Sequence, residues 1–172
     1  FEKGWDYFDG RLKLNEFVKR NENIERLNKK LFRKKILNNS KNKFLVIREQ
    51  GVGDEILYGS MYGDLLETLE NVTIECDPRL LNLFKRSFSE YSNRFVELGS
   101  ISDKEYKLEK IDYVLYAGSL GKYYRKNLEN FISGPYIKVN EEKFKKIQNK
   151  LLKYKNKYNI GISWKSFNNR FA

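Results

Sequence analysis

The apolar run Phe44-Leu45-Val46-Ile47 stops at polar and glycine positions, Arg48-Glu49-Gln50-Gly51-Val52-Gly53-Asp54-Glu55. Beyond them Ile56, Leu57, Met61, Leu65, Leu66 and Leu69 recur at helical spacing. Consecutive apolar residues between polar ones fit a strand buried on both faces, and the i, i+3, i+4 recurrence fits the buried stripe of a helix. The pattern predicts strand, tight loop, helix, and it repeats. Asn71-Val72-Thr73-Ile74-Glu75-Cys76 reads as a second strand. Asp77-Pro78 then opens a helix bearing Leu80, Leu81, Leu83 and Phe84, with proline where no N–H donor is needed. Phe95-Val96-Glu97-Leu98 and Ile111-Asp112-Tyr113-Val114-Leu115-Tyr116 are the third and fourth strands. Strands alternating with helices predict an α/β fold built on a parallel sheet with helices on both faces.

The flanks differ in character. Residues 1–40 carry an imperfect amphipathic pattern (Leu12, Leu14, Phe17, Val18, Ile24, Leu27, Leu31, Phe32, Ile36) with clustered Lys and Arg. They predict a helical lead-in packed beside the sheet. The sheet domain proper is expected over residues 41–140. Residues 141–157 predict a Lys-rich amphipathic helix, and Asn159-Ile160-Gly161-Ile162-Ser163-Trp164-Lys165-Ser166 a further strand, so that 141–172 forms a linking helix and the start of another unit. The chain begins at Phe1 without a methionine and ends at Ala172 just after a strand-like run, and both ends are expected to be cut from something longer.

In open α/β sheets ligands gather beyond the carboxyl ends of the strands, where helix N-termini offer free N–H groups. Function is therefore sought first at Glu49 to Glu55. Neither familiar glycine fingerprint fits that loop. The dinucleotide pattern needs glycine where Ile56 stands, although Glu75 sits about where a ribose-binding acid would follow, and no phosphate-binding G-x-x-x-x-G-K-[ST] occurs. Asp54 is the distinctive residue. It either complements the helix dipole or, at the mouth of the crevice, takes a proton from a substrate hydroxyl. Ala117-Gly118-Ser119-Leu120-Gly121 is a second small-residue loop, expected to emerge on the same sheet edge, where Ser119 reads as a helix cap.

Composition removes several chemistries. The chain has no histidine, which excludes Ser-His-Asp and Cys-His catalysis and His-bearing metal sites within it. A single cysteine, Cys76, permits no intrachain disulfide and points to a reducing compartment. It is expected to be buried at a strand end. No apolar run is long enough to span a bilayer. The net charge of +11 suits nucleic acid, an anionic membrane surface or phosphate-bearing substrates, or else records a bias toward Lys, Asn, Ile and Tyr with lysines on solvated helix faces.

Glu49-Gln50-Gly51-Val52-Gly53-Asp54-Glu55-Ile56 resembles the E-Q-G-x-G-D-x-[IL] loop of bacterial glycosyltransferases related to the ADP-heptose:lipopolysaccharide heptosyltransferases, in particular the branch often fused to tetratricopeptide repeats. Weaker likenesses follow in the family's order: Gly4-Trp5, Gly118-Ser119-Leu120, Pro135-Tyr136-Ile137 and Ile160-Gly161-Ile162-Ser163-Trp164. No tetratricopeptide repeat is recognisable in the chain. The resemblance implies the Rossmann-like, acceptor-side half of a two-domain GT-B glycosyltransferase that needs no metal and takes a nucleotide-sugar as co-substrate. Asp54 would be the general base, with Glu49, Gln50, Gly51, Val52, Gly53, Ser119 and Leu120 in the substrate cleft. Trp164 in the interdomain cleft and Lys165 near a donor phosphate complete the implied set. The implied partners are a glycan, lipid-linked or protein acceptor, in a cytoplasmic setting with peripheral contact to anionic membrane. The competing expectation is a non-catalytic Rossmann-like module that holds RNA or membrane on its basic surface, and a nucleotide-dependent oxidoreductase stands third.

Overall fold

The computed structural model describes residues 1–15, 17, 30–32, 41–97 and 111–162. Two compact units divide the chain, Phe1–Lys138 and Val139–Ala172. The first therefore takes in the start of the expected lead-in.

Its centre is an all-parallel, five-stranded sheet: β1 (Lys30–Leu31), β2 (Phe44–Ile47), β3 (Val72–Cys76), β4 (Phe95–Glu97) and β5 (Tyr113–Tyr116), in the order β1-β5-β2-β3-β4. This is the expected α/β architecture, a Rossmann-like parallel sheet flanked by helices. All four residues of β2 are buried because the strand is central and both faces are covered. Phe44 and Val46 enter the larger core with Tyr58, Tyr62, Leu65, Ile74, Phe84 and Phe95. Leu45 and Ile47 face a smaller one with Phe17, Ile111, Val114 and Tyr116. From β2 the chain steps outward to β3 and β4, then returns to pair β5 on the other side of β2. The strand order thus reverses between β2 and β5, which makes their carboxyl ends the switch point of the sheet.

Three expectations need correction. Lys30–Leu31, assigned to an amphipathic helix, is a short strand against β5, where Phe32 N–H donates to the Val114 carbonyl. The edge of a parallel sheet outweighs a short helical pattern there. The helix expected from Ile56 to Leu69 is two, α2 (Val52–Gly59) and α3 (Tyr62–Thr68). Gly59 marks the break, since a Cβ there would lie 2.7 Å from Tyr136 Oη and 2.8 Å from a Phe84 ring carbon. Arg125 holds the turn by donating to the Ser60 carbonyl at 2.7 Å. Finally, residues 159–162, expected to open a strand, form none among the described residues, and Trp164 and Lys165 lie outside them.

The helix after β3, here α4 (Pro78–Ser87), starts as its sequence requires: Asp77 caps it by accepting from Arg79 N–H, and Pro78 takes the first position. In the second unit a helix covers Glu141–Leu151, capped by Asn140, and a 3-10 turn covers Leu152–Tyr154. No helix among the described residues is long and apolar enough to cross a membrane.

The N-terminal helix α1 (Glu2–Phe8) and the 3-10 turn Asp9–Lys13 belong to the carboxyl end of the sheet. The Trp5 ring lies directly against Gly121, where a Cβ would come within 2.6 Å of three of its atoms, and the indole N–H donates to the Arg125 carbonyl at 2.7 Å. Gly121→Ala should therefore displace Trp5 and cost about 1–3 kcal/mol, the usual range for overpacking. Urea unfolding together with a red shift of tryptophan emission checks this.

Candidate functional site

In the register of the sheet Ile47 pairs with Tyr116, so the loops that leave β2 and β5 start side by side. One buried carboxylate joins them. Glu49 Oε1 accepts the N–H of Gly118, while Arg11 closes on the same carboxylate from the N-terminal turn, Nε to Oε2 at 2.8 Å and Nη2 to Oε1 at 2.7 Å. Gly118 has no room for a side chain, because a Cβ would meet Glu49 Oε1 at 2.6 Å and Arg11 Nη2 at 2.8 Å. Burial works to lower the Arg11 guanidinium, but the bonds and charges of Glu49 and Asp9 outweigh it and hold Arg11 above its ordinary value. Ser119 Oγ accepts from Arg11 at 3.1 Å and donates to Asp9 at 2.8 Å, and Lys122 pairs with the other Asp9 oxygen at 2.7 Å. Ser119 is therefore a link in this network and makes no helix-capping bond. Residues 9 and 11 of the chain fill the crevice at the switch point.

Beyond Glu49 the loop turns sharply. Gln50, at φ 61°, is the one non-glycine residue with positive φ among those described, and its side-chain oxygen accepts from Tyr58 Oη at 3.1 Å. Gly51 and Gly53 are required neither by φ nor by close packing: a Cβ at Gly51 would be in ordinary contact, and one at Gly53 would meet nothing within 4 Å. They leave the start of α2 open to approach. Asp54, partly exposed in the first turn of α2, accepts the Gly51 N–H through Oδ2 at 3.0 Å. Its Oδ1 makes no hydrogen bond among the described residues. The helix-complementing reading of Asp54 is thus realised by one oxygen, and the other is left without a hydrogen bond among the described residues.

Of the other residues singled out from sequence, Val52 is half-buried against the larger core and Leu120 is fully inside it. Glu49 has its carboxylate engaged by Arg11 and Gly118. Gln50, Gly51 and Gly53 form the exposed rim, with Asp54 partly exposed beside them. Sequence reasoning missed Asp9, Arg11, Lys122 and Arg125. Each gains its role from a partner at least 61 positions away or, for Arg11, also from Glu49. No local spacing signals such pairs.

A second polar cluster lies between the ends of β2 and β3. Glu55, buried on α2, accepts the Asp77 N–H through Oε1 at 2.8 Å, while its Oε2 makes no hydrogen bond and lies 3.5 Å from Arg48 Nε. Burial dominates and raises the Glu55 carboxyl. Asp77 is held well below the usual carboxylate range, first by its bonds from Arg79 and then by Arg48. Cys76 is buried beside them, its Sγ donating to the Val96 carbonyl at 3.3 Å and its thiol pushed by burial up to about 12. It is a core residue at the end of β3.

No protein family, no curated protein and no solved structure matches the chain.

Two measurements probe these clusters. Removing one partner of a buried ion pair strands the other charge, so Arg11→Ala should cost about 3–5 kcal/mol in urea unfolding, and Glu49→Gln on that background should recover part of the loss. Glu55 binds its proton more tightly folded than unfolded, so its contribution to stability falls as pH rises from the ordinary glutamate value through the raised one. Asp77 acts with opposite sign, its stabilisation present above the ordinary range and lost as pH falls below it. Glu55→Gln, which keeps an acceptor for the Asp77 N–H, should flatten the decline of stability above the ordinary carboxylate range. Chemical unfolding across pH 4 to 8 reads the difference.

Proposed function

We propose that Phe1–Lys138 is the acceptor-side domain of a nucleotide-sugar-dependent glycosyltransferase of the GT-B type, similar to the heptosyltransferase-like branch, with Asp54 as general base. The observation that carries the reading is that Asp54, partly exposed on the first turn of the helix that follows the central strand, keeps Oδ1 free of hydrogen bonds among the described residues, in a loop of sequence Glu49-Gln50-Gly51-Val52-Gly53-Asp54. The second oxygen, tied to the Gly51 N–H, fixes the carboxylate's direction. Gly51 and Gly53 keep bulk away from it.

In the proposed step an acceptor hydroxyl gives its proton to Asp54 as its oxygen bonds to the anomeric carbon of the donor sugar. The bond from that carbon to the nucleotide's phosphate oxygen breaks, and the nucleotide leaves with the electron pair. Glu49, Arg11 and Ser119 act as positioning residues, since they hold the two loops together without presenting a free group. Donor binding falls to a second Rossmann-like half, for which residues 141–172, with Trp164 and Lys165, are the expected beginning. The acceptor is a glycan, lipid or protein hydroxyl, with transfer on the cytoplasmic side of the membrane.

In the intact protein Asp54→Asn should preserve folding, because an amide oxygen can still accept the Gly51 N–H. It should lower kcat by about 10²- to 10⁴-fold, the worth of a general base. Sugar transfer at near the parent rate by a folded variant would remove the base assignment. The competing binding module predicts instead steeply salt-dependent association with RNA or anionic vesicles, indifferent to Asp54.

A further inference from the structure

Between α1 and α2 lies a cavity of about 460 Å³, within the range of small-molecule sites. Its walls are the rings of Phe1, Trp5, Phe8, Tyr58 and Phe131 and the side chain of Leu57. The polar groups at its edge are already committed. The Trp5 indole N–H donates to the Arg125 carbonyl, the Arg125 guanidinium binds Asp64 and the Ser60 carbonyl, and Tyr58 Oη donates to Gln50. A sugar or nucleotide would lose its water there and find few partners, which costs binding, whereas a hydrocarbon loses nothing.

The cavity also has a fixed relation to the proposed base. Asp54, Leu57 and Tyr58 stand at i, i+3 and i+4 on α2 and share one face of it, about one helical turn of 5.4 Å apart. Asp9 and Arg11 fill the switch-point crevice, and this cavity is lined by Leu57 and Tyr58, one turn on from Asp54. The geometry points to an acceptor with a hydrocarbon chain: the cavity seats that chain and brings the attached hydroxyl-bearing head to Asp54. The inference rests on Asp54 as the base.

Calorimetric titration of the intact protein with methyl, butyl, hexyl and octyl β-glucosides, below micelle formation, tests it. Affinity should rise about fourfold per added methylene until the cavity is full, the step expected for burying one CH₂. Gly4 lines the cavity, and a Cβ there meets nothing within 4 Å, so Gly4→Leu adds bulk at the cavity from a position with room for its Cβ. It should abolish the chain-length series. Leu57→Asn, at a largely exposed rim position, should weaken octyl glucoside binding several-fold without loss of fold. Equal affinity for methyl and octyl glucosides, or a folded Gly4→Leu that binds the octyl compound like the parent, would overturn the inference. Asp54→Asn should leave the affinity series unchanged. A folded Asp54→Asn that transfers sugar at the parent rate, with that series intact, would remove the base assignment alone and leave the hydrocarbon site supported.

Discussion

A carboxylate with no exposure, Glu49, sits at the end of the central strand, and the fold can keep it there only by pairing it. Desolvating a lone carboxylate costs several kcal/mol, so the side chain has to find a cation and further donors. Arg11 and the Gly118 N–H supply them. From that requirement the rest of the switch point follows. Arg11 brings the N-terminal turn over the sheet, Asp9 comes with it, and Ser119 and Lys122 fasten Asp9. The crevice that an open α/β sheet would offer a ligand is closed by the protein's own side chains. What stays accessible beside it is Gln50, Gly51 and Gly53, with Asp54 partly exposed.

Much of the sheet was legible because β2 is buried on both faces and so carries an unbroken apolar run. The burial of Cys76, the helix opening at Asp77-Pro78 and the meeting of the two small-residue loops were legible for similar reasons: each depends on neighbours in sequence or on strand order. What could not be read depends on distant partners. The strand at Lys30–Leu31 exists through its pairing with β5, and the break after Gly59 exists because Phe84 and Tyr136 press on it. At the candidate site the loop from Glu49 to Asp54 was visible, but the engagement of Glu49 was not. A motif names residues without saying which of their atoms the fold has already used.

Gln50 shows the same division. A left-handed backbone at a residue other than glycine or asparagine stores strain of about 1–3 kcal/mol, tolerated where the surroundings determine it. Here the Tyr58 hydroxyl and the buried Glu49 on its N-terminal side fix the turn. The two glycines that mark the motif are conformationally ordinary, and their use lies in the space they leave beside Asp54.

The bonds from Asp9 to Lys122 and from Trp5 to Arg125 span 113 and 120 positions of the chain. During synthesis α1 is made well before the surface it covers. At 5–20 residues per second Trp5 and Asp9 wait roughly 6–24 s for Arg125 and Lys122. Closure of the switch point is therefore a late event in the life of each nascent chain. Until then the Trp5 indole lacks the Gly121 and Arg125 surface that covers it in the folded domain, and an uncovered aromatic ring is open to holdase chaperones and to wrong partners.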